Sequence, residues 1–212
     1  GGGGARGGGP DGMWASGPLA FRLGGRGLGL RRFETGTPPR VNARTVDCAK
    51  MELQEGDADA LPFSVETREK PVNRAVCYLT YTNEETHRII RENLDRSPMH
   101  SGVIEGVGPR YCPSIEAKIT RFPDKPRHQL FIEPMGLATA SLYIQGPSSA
   151  LPEEVQVELL HTILGLARAA TLRPACALES DSWDPRELRP TLDVQAVPAP
   201  EAAGRVRGPA RD

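Results

Sequence analysis

The sequence predicts a mixed α/β protein, and three stretches carry that reading. Residues 75–81 are short, apolar and β-prone and run directly into Thr82-Asn83-Glu84-Glu85, a helix start in which Thr82 and Glu85 have capping-box spacing. Residues 129–133 repeat the β-prone signal and are closed by Pro134 and Gly136. Beyond Leu151, Pro152 suits a first helical turn, Glu153 and Glu154 complement the helix dipole, and Val155, Leu159, Ile163 and Leu166 form one stripe.

The remaining elements are placed relative to these anchors. Residues 1–27 are rich in glycine with scattered arginine and lack apolar periodicity, so they read as a flexible segment. After the strand at 75–81, a helix is expected over residues 83–94, with Ile89, Ile90 and Leu94 inward and Arg88, Arg91 and Glu92 toward water. Residues 115–122 alternate Ile115, Ala117 and Ile119 against Glu116, Lys118 and Thr120, which predicts a strand. A strand at 129–133 and the helix at 153–166 complete the body, and residues 193–212, rich in Ala, Pro, Gly and Arg, read as a disordered tail.

Composition narrows the functional classes. The 212 residues include 23 glycines, 20 prolines and only 5% aromatics, so part of the chain is expected to stay outside any packed core. A net charge of −1 excludes a polycation while leaving local patches open. Cys48, Cys77, Cys112 and Cys176 form no Cys-x-x-Cys pair, which disfavours a zinc site or disulfide framework and suits a reducing compartment. His87, His100, His128 and His161 have no His-x-x-x-His or His-Glu-x-x-His spacing. Without an apolar run of membrane length or a signal-peptide core, the chain reads as soluble and cytoplasmic.

Two motifs concentrate chemistry. In Thr35-Gly36-Thr37-Pro38-Pro39-Arg40, the glycine permits a tight or left-handed turn and the prolines stiffen the backbone after it, so two hydroxyls and a guanidinium could meet an anion. Arg22, Arg26, Arg31, Arg32, Arg40 and Arg44 surround it against Glu34 alone, although a stiff loop with solvated arginines explains the same residues. In Gly108-Pro109-Arg110-Tyr111-Cys112-Pro113-Ser114-Ile115-Glu116, the cysteine reads either as a small buried hydrophobe or as a reactive thiol whose pKa Arg110 lowers. Gly102, Gly106 and Gly108 do not make the Gly-x-Gly-x-x-Gly fingerprint, and no P-loop occurs.

These motifs, with residues 79–87, 93–99, 106–116, 128–134 and 189–192 in order, resemble the MnmG (GidA) family of flavin-dependent enzymes that modify the wobble uridine of tRNA. The resemblance spans residues 28–192 and implies the end of a FAD domain plus an inserted, NAD-binding-like α/β domain. It implies FAD, NADH and a folate one-carbon donor, tRNA as substrate, the GTPase MnmE as partner, and a homodimer in full-length members. By the same resemblance Cys112 is a catalytic cysteine. Gly108, Pro109, Arg110, Tyr111, Cys112, Pro113, Ser114, Ile115, Glu116, Lys118, Arg121 and Phe122 fall in a cofactor-binding segment, and Thr35, Gly36, Thr37, Pro38, Pro39 and Arg40 in a flavin-proximal or tRNA-facing loop. The arginines from Arg22 to Arg44 are the expected approach surface for tRNA phosphates.

Departures from the family pattern are equally specific. By the resemblance, the chain is expected to lack the family's N-terminal flavin fold with its Gly-x-Gly-x-x-Gly loop and its helical C-terminal domain, while Glu34 stands where a basic residue is usual and residues 175–181 replace a tyrosine-containing stretch. The ends show no such match, which leads to the expectation of an incomplete or frameshifted product. The alternative reading is a non-catalytic fragment or interaction module.

Overall fold

The computed structural model describes residues 14–15, 17–98, 106 and 113–196. Its elements, in chain order, are helix α1 (Gly17–Gly24) and strands β1 (Leu30–Thr37), β2 (Arg40–Asn42), β3 (Glu52–Gln54) and β4 (Cys77–Tyr81), then helices α2 (Glu84–Glu92) and α3 (Ile115–Arg121). Strands β5 (Gln129–Pro134) and β6 (Ser141–Gln145), helix α4 (Glu153–His161), and strands β7 (Thr171–Arg173) and β8 (Cys176–Trp183) complete the order.

Two sheets result. Six strands in the order β3-β4-β5-β6-β2-β7 form an antiparallel sheet, while β1 and β8 pair separately as an antiparallel ribbon from Leu30↔Trp183 to Thr37↔Cys176. The chain thus enters the six-stranded sheet from one strand of the ribbon and returns along the other.

Alternation explains which sheet face is covered. Val41, Leu130, Ile132, Leu142 and Ile144 are buried with Ile89 and Ile90 of α2, Ile115 and Ile119 of α3, and Val155, Leu159 and Leu160 of α4 in one core. Register pairs place Glu133 beside Tyr143 and Tyr143 beside Arg40, whose next neighbour is Arg173, on the face away from these helices. The expected stripe of Val155, Leu159, Ile163 and Leu166 is fully buried. Helix α4 itself stops at His161, and Ile163 and Leu166 complete the stripe from turns held by Ile163 N–H donating to Leu160 O and Leu166 N–H donating to Ile163 O.

Several expectations are corrected. Residues 115–121 are helical, not a strand: Ser114 caps the helix by accepting from the Ala117 N–H at 3.2 Å, and Ile115 and Ile119, four apart, meet the core on one face. The cap of α2 is Asn83, reciprocated by Thr86, rather than Thr82 with Glu85. Thr82 instead accepts from the His128 N–H at 2.7 Å and contacts His87. Part of the tract expected to be flexible forms α1, and Leu23 packs with Leu28 and Val194 in a second small cluster. Residues 176–183 pair along all of β1.

Candidate functional site

The Thr35–Arg40 motif is the crossover from ribbon to sheet. Thr35, Gly36 and Thr37 end β1, the buried Pro38 and Pro39 form the link, and Arg40 opens β2. Gly36 has no left-handed backbone; its role is close approach, because a Cβ there would lie 2.9 Å from Ser148 Cβ. Pro39 O accepts from the Ile144 N–H at 3.1 Å, which ties the link to the sheet. Thr37 Oγ1 lies 3.1 Å from Cys176 Sγ, and Arg40 donates to Pro38 O at 3.1 Å, so part of the motif's polar capacity is spent within the crossover.

The return to the ribbon is held by Gln156, a side chain that sequence reading passes over. It is buried, donates to Leu151 O at 2.7 Å and Ala175 O at 3.0 Å, and accepts from the Ala175 N–H at 2.7 Å. A glutamine within an apolar helix gives no local sign of this role, since its partners are set by tertiary packing.

Between crossover and return lies a group of carboxylates. Glu34 is buried in β1, and its pKa is raised by burial, then by the charges of Glu116 and Glu179. Glu179 on β8 accepts from the Gly106 N–H at 2.8 Å. Gly106 is pressed so closely against β1 that a Cβ would meet the Glu34 nitrogen at 2.8 Å. Glu116 is fully buried, and its Oε1 accepts from Ser149 Oγ at 2.9 Å, the Ala150 N–H at 3.0 Å and Ser97 Oγ at 3.4 Å.

Of the expected cofactor segment, Gly108, Pro109, Arg110, Tyr111 and Cys112 lie outside the described residues. Pro113 is partly buried; Ser114 serves as a helix cap, and Ile115 and Glu116 turn into the protein. Lys118 donates to Gly146 O at 2.9 Å, while Arg121 and Phe122 are exposed. The expected arginine surface is partly neutralised: Arg31 pairs with Asp184 at 2.8 Å, and Arg32 with Asp181 at 2.8 Å and Glu179 at 3.6 Å. The ribbon brings these acids from β8 and its exit, a long-range pairing that local charge counting cannot register.

A second polar centre escapes sequence reading because its members are distant along the chain. Thr82 Oγ1 lies 2.7 Å from His87 Nε2, and the His87 and His128 rings stand 5.4 Å apart between centroids. Burial lowers both histidine pKa values; His128 and Arg91 lower His87 further, and Lys118 and Lys125 lower His128. Cys48 and Cys77 are partly buried, which raises their thiol pKa values, whereas Cys176 is exposed.

The geometry defines a class first: an α/β domain carried between the strands of an antiparallel ribbon, with a carboxylate-lined seam at the junction. The structure of Aquifex aeolicus GidA in its form II crystal is similar, with a TM-score of 0.80 and 40% identity, over 92% of this chain and 32% of that one. Its form I crystal gives 0.78 and 43%, over 88% of this chain and 32% of that one. The family model described as "Glucose inhibited division protein A" matches residues 2–210, and the chain belongs to that family. The match reaches into both ends, correcting the expectation that they are unrelated.

Named relatives agree. The chain is 50% identical over 201 residues to the tRNA uridine 5-carboxymethylaminomethyl modification enzyme MnmG of Caldicellulosiruptor saccharolyticus, covering 95% of this chain and 32% of that protein. It is 51% identical over 200 residues to the protein of the same name from Geobacillus thermodenitrificans, covering 94% and 32%. The chain therefore spans about a third of the length of these relatives. No helix among the described residues is long and apolar enough to cross a membrane.

Proposed function

We propose that this chain is the middle part of a flavin-dependent enzyme that modifies the wobble uridine of tRNA. The observation that carries the reading is the identity near 50% across nearly the whole chain to relatives named for that modification. On this reading residues 28–192 comprise the end of the FAD domain, represented by the β1–β8 ribbon, and the inserted NAD-binding-like domain built on the six-stranded sheet. The ribbon topology supports that division, because both crossings between the two parts occur at one place.

Cofactor fit is uneven. The two Gly-x-Gly-x-x-Gly spacings of the sequence, at residues 2–7 and 7–12, fall in a glycine-rich tract outside the described residues, and the flavin's pyrophosphate is assigned chiefly to other parts of the enzyme. For NADH, the described residues of the expected segment form a helix whose Ser114, Ile115 and Glu116 face inward, leaving Arg121 and Phe122 open to solvent. That arrangement is not a cofactor cradle by itself.

Cys112 is assigned the reacting thiol, acting covalently or in proton transfer at the uracil or the one-carbon unit, with Arg110 nearby in sequence to favour the thiolate. Thr35 to Arg40, at the crossover, forms the loop near flavin or tRNA. The substrate is tRNA, MnmE is the partner, the full-length protein is a homodimer, and the site of action is the cytoplasm. The alternative, a non-catalytic fragment or interaction module of the family, draws on the described residues of the expected cofactor segment, whose Ser114, Ile115 and Glu116 face inward.

A flavin titration separates these readings. Purified chain, monitored by flavin absorbance and thermal shift, is expected to bind no FAD, whereas the chain rejoined to the remaining family domains retains FAD that NADH bleaches. Saturable FAD binding by the chain alone would contradict the assignment of the flavin site elsewhere. A rejoined protein that folds but holds no flavin would favour the non-catalytic module.

A further inference from the structure

We propose that Arg121, Phe122, Lys125 and Arg127, at and beyond the C-terminal end of α3, form a docking surface for single-stranded RNA. The cations take phosphates, and the Phe122 ring takes an unstacked base. The choice of RNA rests on the tRNA reading above; the location rests on observations of its own.

Residues 118–128 hold four cations and one acid, Asp124, in a chain whose net charge is −1. Arg121, Lys125 and Arg127 are exposed and enter no ion pair among the described residues. Arg31, Arg32, Arg88, Arg96 and Arg186, by contrast, are each held by carboxylates. Aromatic rings are interleaved with the exposed cations: the Arg127 guanidinium lies 4.1 Å from the Tyr81 ring centroid and the Lys125 amino group 5.5 Å from that of Phe122, a ring that is 51% exposed. Pro123 and Pro126 restrict the backbone between these groups, so less freedom is lost when a ligand binds.

Exposed cations beside an open aromatic face are the combination that binds single strands through phosphates and stacking. An acidic protein surface would satisfy the cations equally, and competition by an acidic polypeptide distinguishes the two. Arg31 and Arg32 of the ribbon, by contrast, are already paired with carboxylates.

The test is fluorescence anisotropy of a labelled RNA stem-loop with a uridine-containing single-stranded loop, titrated with the 212-residue chain over a range of salt. Saturable binding is expected. The triple variant R121A/K125A/R127A should bind at least about tenfold more weakly and flatten the slope of log K against log salt by about 2, from three lost contacts at about 0.7 each. Phe122→Ala should weaken stem-loop binding by about tenfold and leave binding to a fully paired stem unchanged. Lys50→Ala with Arg168→Ala, cations lining a different cavity, should change neither.

The proposal is overturned if the wild-type chain does not bind the stem-loop, or if the triple variant, with unchanged thermal unfolding, binds as tightly as wild type. Displacement of the RNA by polyglutamate at equal charge concentration would likewise overturn it in favour of an acidic protein partner. The flavin titration reads no part of this surface, so the two proposals can fail separately.

Discussion

Glu116 reads from sequence as a ligand-facing residue, yet its buried Oε1 gathers donors from Ser97, Ser149 and Ala150. Glu116→Ala would leave those groups without their acceptor and is expected to destabilise the chain by about 2–4 kcal/mol in urea unfolding. Glu116→Gln, which keeps one acceptor oxygen, should cost less; equal losses would mean that the hydrogen bonds are not the cause. Gly36→Ala should destabilise by about 1–3 kcal/mol through its clash with Ser148, and Ser148→Gly should recover part of that loss. Absence of any rescue would place the strain elsewhere. The buried His87 gives a pH dependence of definite sign. Its folded pKa lies below the ordinary 6.5, chiefly from burial and then from His128 and Arg91, with Glu84 acting in the opposite sense. As pH falls through 6.5, the unfolded chain takes up this proton first, so the His87 contribution to stability decreases from neutral pH downward. Glu34, whose pKa is raised, contributes with the opposite sign above its ordinary 4.5. The discriminating measurement is therefore urea unfolding from about pH 7 to 5 for wild type and His87→Gln: the variant should show a smaller loss as pH falls, and parallel curves would remove His87 as the source.

At the scale of elements, legibility tracks the reach of the interactions. The strands β4 and β5, the helix α2 and the buried stripe continuing beyond α4 are readable because their apolar residues recur at local periods. Helix α3 reads as a strand because Ile115, Ala117 and Ile119 satisfy strand alternation while Ile115 and Ile119 also satisfy helical spacing; Ser114, a cap, decides between them. Strands β2, β3 and β7 have three residues each, too few to show a period, and β1 and β8 are defined by each other across the intervening domain. Ser114→Ala should cost about 1 kcal/mol and Ser114→Asp should be tolerated, as unfolding by denaturant would show; no effect of Ser114→Ala would count against the helix. For α2, Asn83→Ala should cost about 1–2 kcal/mol, since Asn83 accepts from the Thr86 N–H at 3.0 Å and donates to Thr162 O at 2.7 Å, whereas Glu85→Ala leaves the cap intact.

At the scale of the molecule, motif order makes the family readable while the site is only partly so. Thr35 to Arg40 can be located as a chemically dense motif, but its place at the crossover depends on Ser148, Ile144 and Cys176, none of them near it in sequence. The ribbon and its seam of Glu34, Glu116 and Glu179 assemble residues from three distant parts of the chain for the same reason. We propose that this part supplies the reacting thiol, Cys112, to a tRNA-modifying flavoenzyme. The most direct test of this claim is mass spectrometry of tRNA nucleosides from cells lacking the endogenous activity and expressing the chain rejoined to the remaining family domains. The wobble-uridine modification is predicted to return with the native sequence and to be lost with Cys112→Ser despite normal folding and flavin content; undiminished modification with Cys112→Ser would contradict the claim.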